Sequence, residues 1–127
     1  MKYFLALISC LLLISCGARV KTNITEKREL LTIDDKVAFL EIKHVVPQNS
    51  KKVGSAKFGD SGVSTDCNYN SNLVKARKLA RENGANIVKI IEVKTPDLWS
   101  SCHRMKIDFY YYDGDVSQLA QTQIQIK

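Results

Sequence analysis

Six side chains among 127 residues offer thiol or soft-ligand chemistry: Cys10, Cys16, Cys67, Cys102, His44 and His103. Four of them, Cys67, Cys102, His44 and His103, make a numerically complete set for zinc or copper. Their spacing is poor for that purpose. No pair shows the C-x-x-C or H-x-x-x-H interval that holds two ligands on one turn, and adjacent Cys102 and His103 would point to opposite faces of a strand. A Cys-His nucleophile needs a thiolate near a base and an oxyanion donor, yet there is no nucleophile elbow or glycine-rich helix start. A hydrolase built on Asp60, Asp66 or Asp108 would have to gather carboxylates from a loop and a strand. The expectation is a protein that is not an enzyme and carries no cofactor. Metal binding or thiol redox chemistry through Cys67, Cys102, His44 and His103 stands as the alternative.

Cys10 and Cys16 belong to a different context. Tyr3 to Ile14 is an apolar run about half as long as the ~20 residues that span a bilayer. Lys2 precedes it and small residues follow it, the pattern of a secretory signal peptide. Leu13-Ile14-Ser15-Cys16 resembles the lipobox of bacterial lipoproteins. That resemblance implies cleavage before Cys16, diacylglycerol on its sulfur and acylation of the new amino group. Each buried methylene contributes ~0.8 kcal/mol, so two or three chains anchor what one holds only marginally. Cleavage after Gly17 or Ala18 by the ordinary signal peptidase is the other reading.

Removal of residues 1–15 leaves 112 residues, one small domain, and takes the net charge from +6 to +5 because Lys2 is the only charged residue lost. Cys10 departs and Cys16 carries lipid, so Cys67 and Cys102 are left to pair in an oxidising compartment. The bridge would close a loop of about 35 residues, for which chain entropy gives roughly 4 kcal/mol. The densest basic runs, at 51–52 and 75–81, are too short for a nucleic-acid surface, and the second reads as the solvated face of a helix.

The elements follow from periodicity. Residues 16–35 are polar and aperiodic, a tether reaching at most ~65 Å. Residues 36–46 and 52–59 read as two strands around the turn Pro47-Gln48-Asn49-Ser50, an antiparallel hairpin weakened by Gly54. A polar loop holds Cys67. Asn70 or Ser71 then caps a helix with Leu73, Ala76, Ala80 and Asn83 on its buried stripe, stopped by Gly84. A β-branched strand follows, Ile87, Ile91 and Val93 alternating against Val88 and Ile90. Trp99 lies in the next loop and either covers the disulfide or offers a stacking platform. In the last strand Met105, Ile107, Phe109 and Tyr111 face one way and Arg104, Lys106, Asp108, Tyr110 and Tyr112 the other. The expected fold is α+β, a sheet of about four strands with one helix on one face, in the order β-β-α-β-β, stapled by one disulfide. The domain spans 36–112, and the tail 113–127 fits either a helix or a strand.

Over residues 53–112 the glycine-bearing strand, the cysteine, the helix ending near Gly84-Ala85-Asn86 and the second cysteine before the last strand resemble small envelope lipoproteins of Bacteroidetes type. More distantly they resemble the Rcs-pathway envelope-stress sensors (RcsF), lipid-anchored domains of similar element order. Those sensors carry two bridges, whereas this mature chain has cysteines for one. The resemblance implies a lipid-anchored, partner-binding or envelope-stress-sensing module, bound to the membrane through its anchor and to another envelope protein or a glycan, with no nucleic acid. Gly17 stands where enteric inner-membrane lipoproteins have Asp, which points to the outer membrane, facing the periplasm. Arg104, Lys106, Tyr110 and Tyr112, with Trp99, are the candidate partner surface, unless the tail covers that face.

Overall fold

Asn68 sets the start of the helix. Its backbone is extended (φ −73°, ψ 168°) and its side-chain oxygen accepts the Ser71 N–H at 2.8 Å, so α1 runs Tyr69–Glu82. The expected caps Asn70 and Ser71 lie inside the first turn. Leu73, Ala76 and Ala80 are buried as their spacing predicts, with Asn72 beside them. Asn83 closes the helix instead of lining its stripe, its amide donating to the Leu79 carbonyl at 2.7 Å. Gly84 takes φ +71°, the left-handed stop that its position demands.

The computed structural model describes residues 17–62 and 66–124. Residues 1–16, on which the expected signal peptide and lipidated Cys16 fall, and the last three residues lie outside the described residues.

Among the described residues the fold is α+β, one sheet with a single α-helix. The sheet has five strands rather than about four: β1 Arg19–Ile24, β2 Ala38–Leu40, β3 Lys51–Gly59, β4 Ile87–Lys94 and β5 Arg104–Tyr111, ordered β1-β3-β5-β4-β2. The additional strand is β1, within the polar segment expected to be a tether. It pairs antiparallel with β3, Arg19 opposite Gly59 and Ile24 opposite Gly54. Gly54 is needed there, because a Cβ would lie 2.5 Å from the Asn23 carbonyl oxygen.

The expected β2–β3 hairpin does not form. β2 is only three residues long and pairs parallel with β4 at the far edge of the sheet, while β3 pairs with β1 and β5. The chain leaves β2 because Lys89 gathers the next loop around its ammonium group, donating to the carbonyls of Glu41 (2.6 Å), Ile42 (2.9 Å) and His44. Local apolar alternation through residue 46 gave no sign of this long-range bond.

One face of the sheet packs under α1: Phe39, Val53, Phe58, Val88, Ile90, Met105, Ile107 and Phe109 meet Leu73, Ala76 and Ala80. The alanines let the helix lie close. A bulge at Ile91 shifts the β4–β5 register. It leaves Ile91 exposed and turns Val93 to the helix side, so the alternation expected along this strand holds only before the bulge.

The opposite face is closed at one end by the tail. Asp115 caps a single 3-10 turn, Val116–Gln118, and Val116 is buried against Ala38, Leu40 and Ile87 with Leu119, Tyr110 and Tyr112 around it. The chain then runs extended, and the Thr122 N–H donates to the Phe39 carbonyl at 2.8 Å. The described tail is therefore a turn and an extended strap along the edge of β2, the kind of cover an exposed edge requires.

Segment 25–37 crosses the C-terminal end of α1. Leu31 N–H donates to Arg81 O at 2.9 Å, Arg81 donates back to Asp35 O, and Arg28 stacks over Tyr111 at 3.9 Å. At Gly84 a Cβ would run into Glu29 O and Arg28. Gly84→Ala should cost more than the ~1–2 kcal/mol of a left-handed alanine, because the crossing segment must also move. Urea titration followed by circular dichroism measures it, and a variant as stable as the parent would contradict this packing.

Candidate functional site

The strand directions bring three pieces of chain to one end of the sheet: the residues before β1, the loop from β3 to α1, and the loop from β4 to β5. Cys67 and Cys102 join the two loops covalently, with Cα atoms 5.0 Å apart and 35 residues between them in sequence. Hydrogen bonds repeat the connection. His103 N–H donates to Cys67 O at 3.0 Å, the Asn72 amide donates to His103 O at 2.9 Å, and Ser100 Oγ donates to Asp60 Oδ2 at 2.6 Å. Gly17 forms an isolated bridge with Asp66, so the start of the described chain belongs to the same knot.

The thiol and metal readings meet this geometry directly. Both sulfurs are bonded to each other and buried. His103 packs tilted against Tyr69, ring centroids 6.0 Å apart. His44 lies in the loop after β2, its Nδ1 accepting the Glu41 N–H at 3.0 Å. Among the described residues no three His, Cys, Asp or Glu side chains are placed to hold an ion together.

The three candidate acids are distributed rather than convergent. Asp60 accepts from Ser100 and from the Gly62 N–H at 2.7 Å, and those bonds, Ser100's foremost, hold its carboxyl below the usual range. Asp66 faces Lys75 at 3.5 Å and is lowered by its hydrogen bond with Ser71 and then by that lysine. Asp108 lies on the sheet, paired with Lys52 at 3.0 Å. Each is engaged by a hydrogen bond or an ion pair of its own.

The residues expected to form a partner surface occupy separate places. Tyr110 and Tyr112 are half-buried beneath Val116 and Leu119. Arg104 is fixed to Asp97 at 2.6 Å, and its Nε is buried without a hydrogen-bond partner among the described residues. Lys106 is exposed, 3.0 Å from Glu92. Trp99 stands at the loop tip, 91% exposed, and does not cover the disulfide.

On the face away from the helix, the register aligns three lysines. Lys21 of β1 is directly opposite Lys57 of β3, which is directly opposite Lys106 of β5. They border a shallow groove of about 360 Å³ with Asn23, Ser55 and Asp108. Glu92 neutralises Lys106, and that contact holds the Glu92 carboxyl low. Lys21 and Lys57 form no ion pair among the described residues. Sequence reading missed both because neither strand nor register was assigned for β1. The exposed positions of a polar strand give no signal until its partner is known.

Replacing both Cys67 and Cys102 by Ser should remove ~4 kcal/mol of stability at most, read as a lower urea midpoint. A midpoint unchanged by the substitution would show that the hydrogen bonds alone hold the loops. Acid should loosen the same end. The Asp60 and Asp97 carboxyls are depressed mainly by Ser100 and Arg104 respectively, so their stabilisation is present above the ordinary carboxylate pKa. It is lost as pH falls through the lower folded value. Thermal melts should fall below about pH 4, and less steeply in Asp60→Asn. No family model, curated protein or solved structure matches this chain, so its assignment rests on its own chemistry.

Proposed function

We propose that the chain is a non-catalytic lipoprotein of the bacterial envelope, anchored through Cys16 in the outer membrane and facing the periplasm. Its open sheet face binds an anionic partner, an acidic segment of another envelope protein or of a glycan. The observation that carries the binding role is the directly opposed pair Lys21 and Lys57 of the lysine row, beside a Lys106 that Glu92 already neutralises. Like charges directly opposed across strands oppose folding. An arriving anion relieves that repulsion, which makes the row a better binding feature than a structural one.

Two further features support the address. A disulfide between two loops suits an oxidising compartment, and the apolar run Tyr3 to Ile14 followed by Ser15-Cys16 suits an export signal and a lipid anchor. A sensing role would use the same face, because occupancy of the lysine row is the event such a module would report.

Retention on immobilised polyglutamate, eluted with salt, tests the face. Lys21→Glu with Lys57→Glu should weaken binding roughly tenfold or more, while Lys43→Glu, exposed in the loop after β2, should change it little. Equal elution of all three proteins would remove the lysine row from the function. Membrane fractionation tests the anchor: the parent chain should resist a high-salt wash that releases Cys16→Ser.

A further inference from the structure

Leu98 and Trp99 are 100% and 91% exposed, the two most exposed large apolar side chains among the described residues. They are not on a loose loop. Asp97 Oδ1 accepts the Trp99 and Ser100 N–H groups, both at 2.9 Å, Arg104 grips the other oxygen of Asp97, and Ser100 is tied to Asp60. Two residues beyond Ser100, Cys102 closes the disulfide. The tip is a rigid turn that presents an adjacent leucine and tryptophan to its surroundings.

Position identifies what those surroundings are. Gly17 bridges Asp66, one residue before Cys67, and Cys67 is bonded to Cys102 in the Leu98–Trp99 loop. Cys16 precedes Gly17 directly in the sequence, one peptide bond away. Acyl chains on Cys16 would hold this end of the domain at the headgroups, because β1 leaves no length of free tether between them. Whatever projects here meets the bilayer first. The polar flanks suit that contact: Asp97 and Asp66 are neutralised by Arg104 and Lys75, and Arg19, at the start of β1, is exposed.

We infer that the Leu98–Trp99 tip inserts into the interface of the same leaflet that holds the Cys16 lipid, so the domain rests on the membrane at two points and presents its sheet face sideways. Tryptophan is favoured at that depth because its ring is apolar while its N–H finds water or headgroup oxygen. The second contact fixes orientation, which acyl chains alone leave free. This inference rests on the lipid-anchor reading.

Trp99 is the chain's only tryptophan, so its fluorescence reports the tip without labelling. The acylated chain, purified from membranes of its host, is reconstituted in phosphatidylcholine–phosphatidylglycerol vesicles with or without brominated acyl chains. Intact mass and detergent phase partition establish the lipid separately. Blue-shifted emission, about twofold quenching by brominated lipid and protection from aqueous iodide are expected for an interfacial tryptophan. Leu98→Asp should return the emission toward that of exposed tryptophan while acyl mass is unchanged. An acylated chain whose Trp99 is quenched by iodide and not by brominated lipid overturns the inference and leaves the anchor standing. The same result with Trp99 shielded only when another envelope protein is added gives the tip to that protein. A chain without acyl mass overturns both readings.

Discussion

One helix of fourteen residues lies across a sheet of five strands, so among the described residues one face of that sheet has no second layer of secondary structure. A sheet in this position must have its second face solvated, strapped or bound. This chain does the first two at different places. Near β2 the tail supplies Val116 and Leu119 over Ala38, Leu40 and Ile87. Over β1, β3 and the middle of β5 the face is left to charged and polar side chains. The tail and the lysine row are thus two answers to one shortage of covering mass.

The same shortage explains where the covalent bond is placed. β1 and β2 are edge strands, and β2 is held by three residues of parallel pairing, the Lys89 bonds and the tail. The strongest connection lies at the other end, where the helix entrance and the β4–β5 loop would otherwise fray. Closing that long loop raises the free energy of the unfolded chain without needing more core. It also makes the end stiff, and a stiff end is what allows exposed apolar groups there to hold a fixed direction.

Several parts of this arrangement were legible in the residues. The α1 stripe apart from Asn83, the Gly84 stop, the alternation of β5 and the pairing of Cys67 with Cys102 each depend on local spacing or on the cysteine count, and the structure carries them. The strand order was not legible. Val37 through Val46 alternates like a long strand, yet the chain turns away after Leu40 because Lys89, more than forty residues on, binds its carbonyls. Residues 19–24 look like polar tether because one side of an edge strand faces water. Only Val20 and Ile24 mark the side packed against the core. The bulge at Ile91 likewise has no sequence mark, and it decides which side Val93 takes. The lysine row depends on both the β1–β3 and β3–β5 registers, so it became visible only with the sheet assembled.

The central claim is that a stapled domain is joined to a membrane by lipid on Cys16. Its most direct test is the intact mass of the chain extracted from membranes of its own host, with thiols alkylated before and after reduction. The account predicts a polypeptide starting at Cys16 that carries acyl mass, with Cys67 and Cys102 labelled only after reduction. A chain starting after Gly17 or Ala18 without added acyl mass, or thiols that label without reduction, would contradict it.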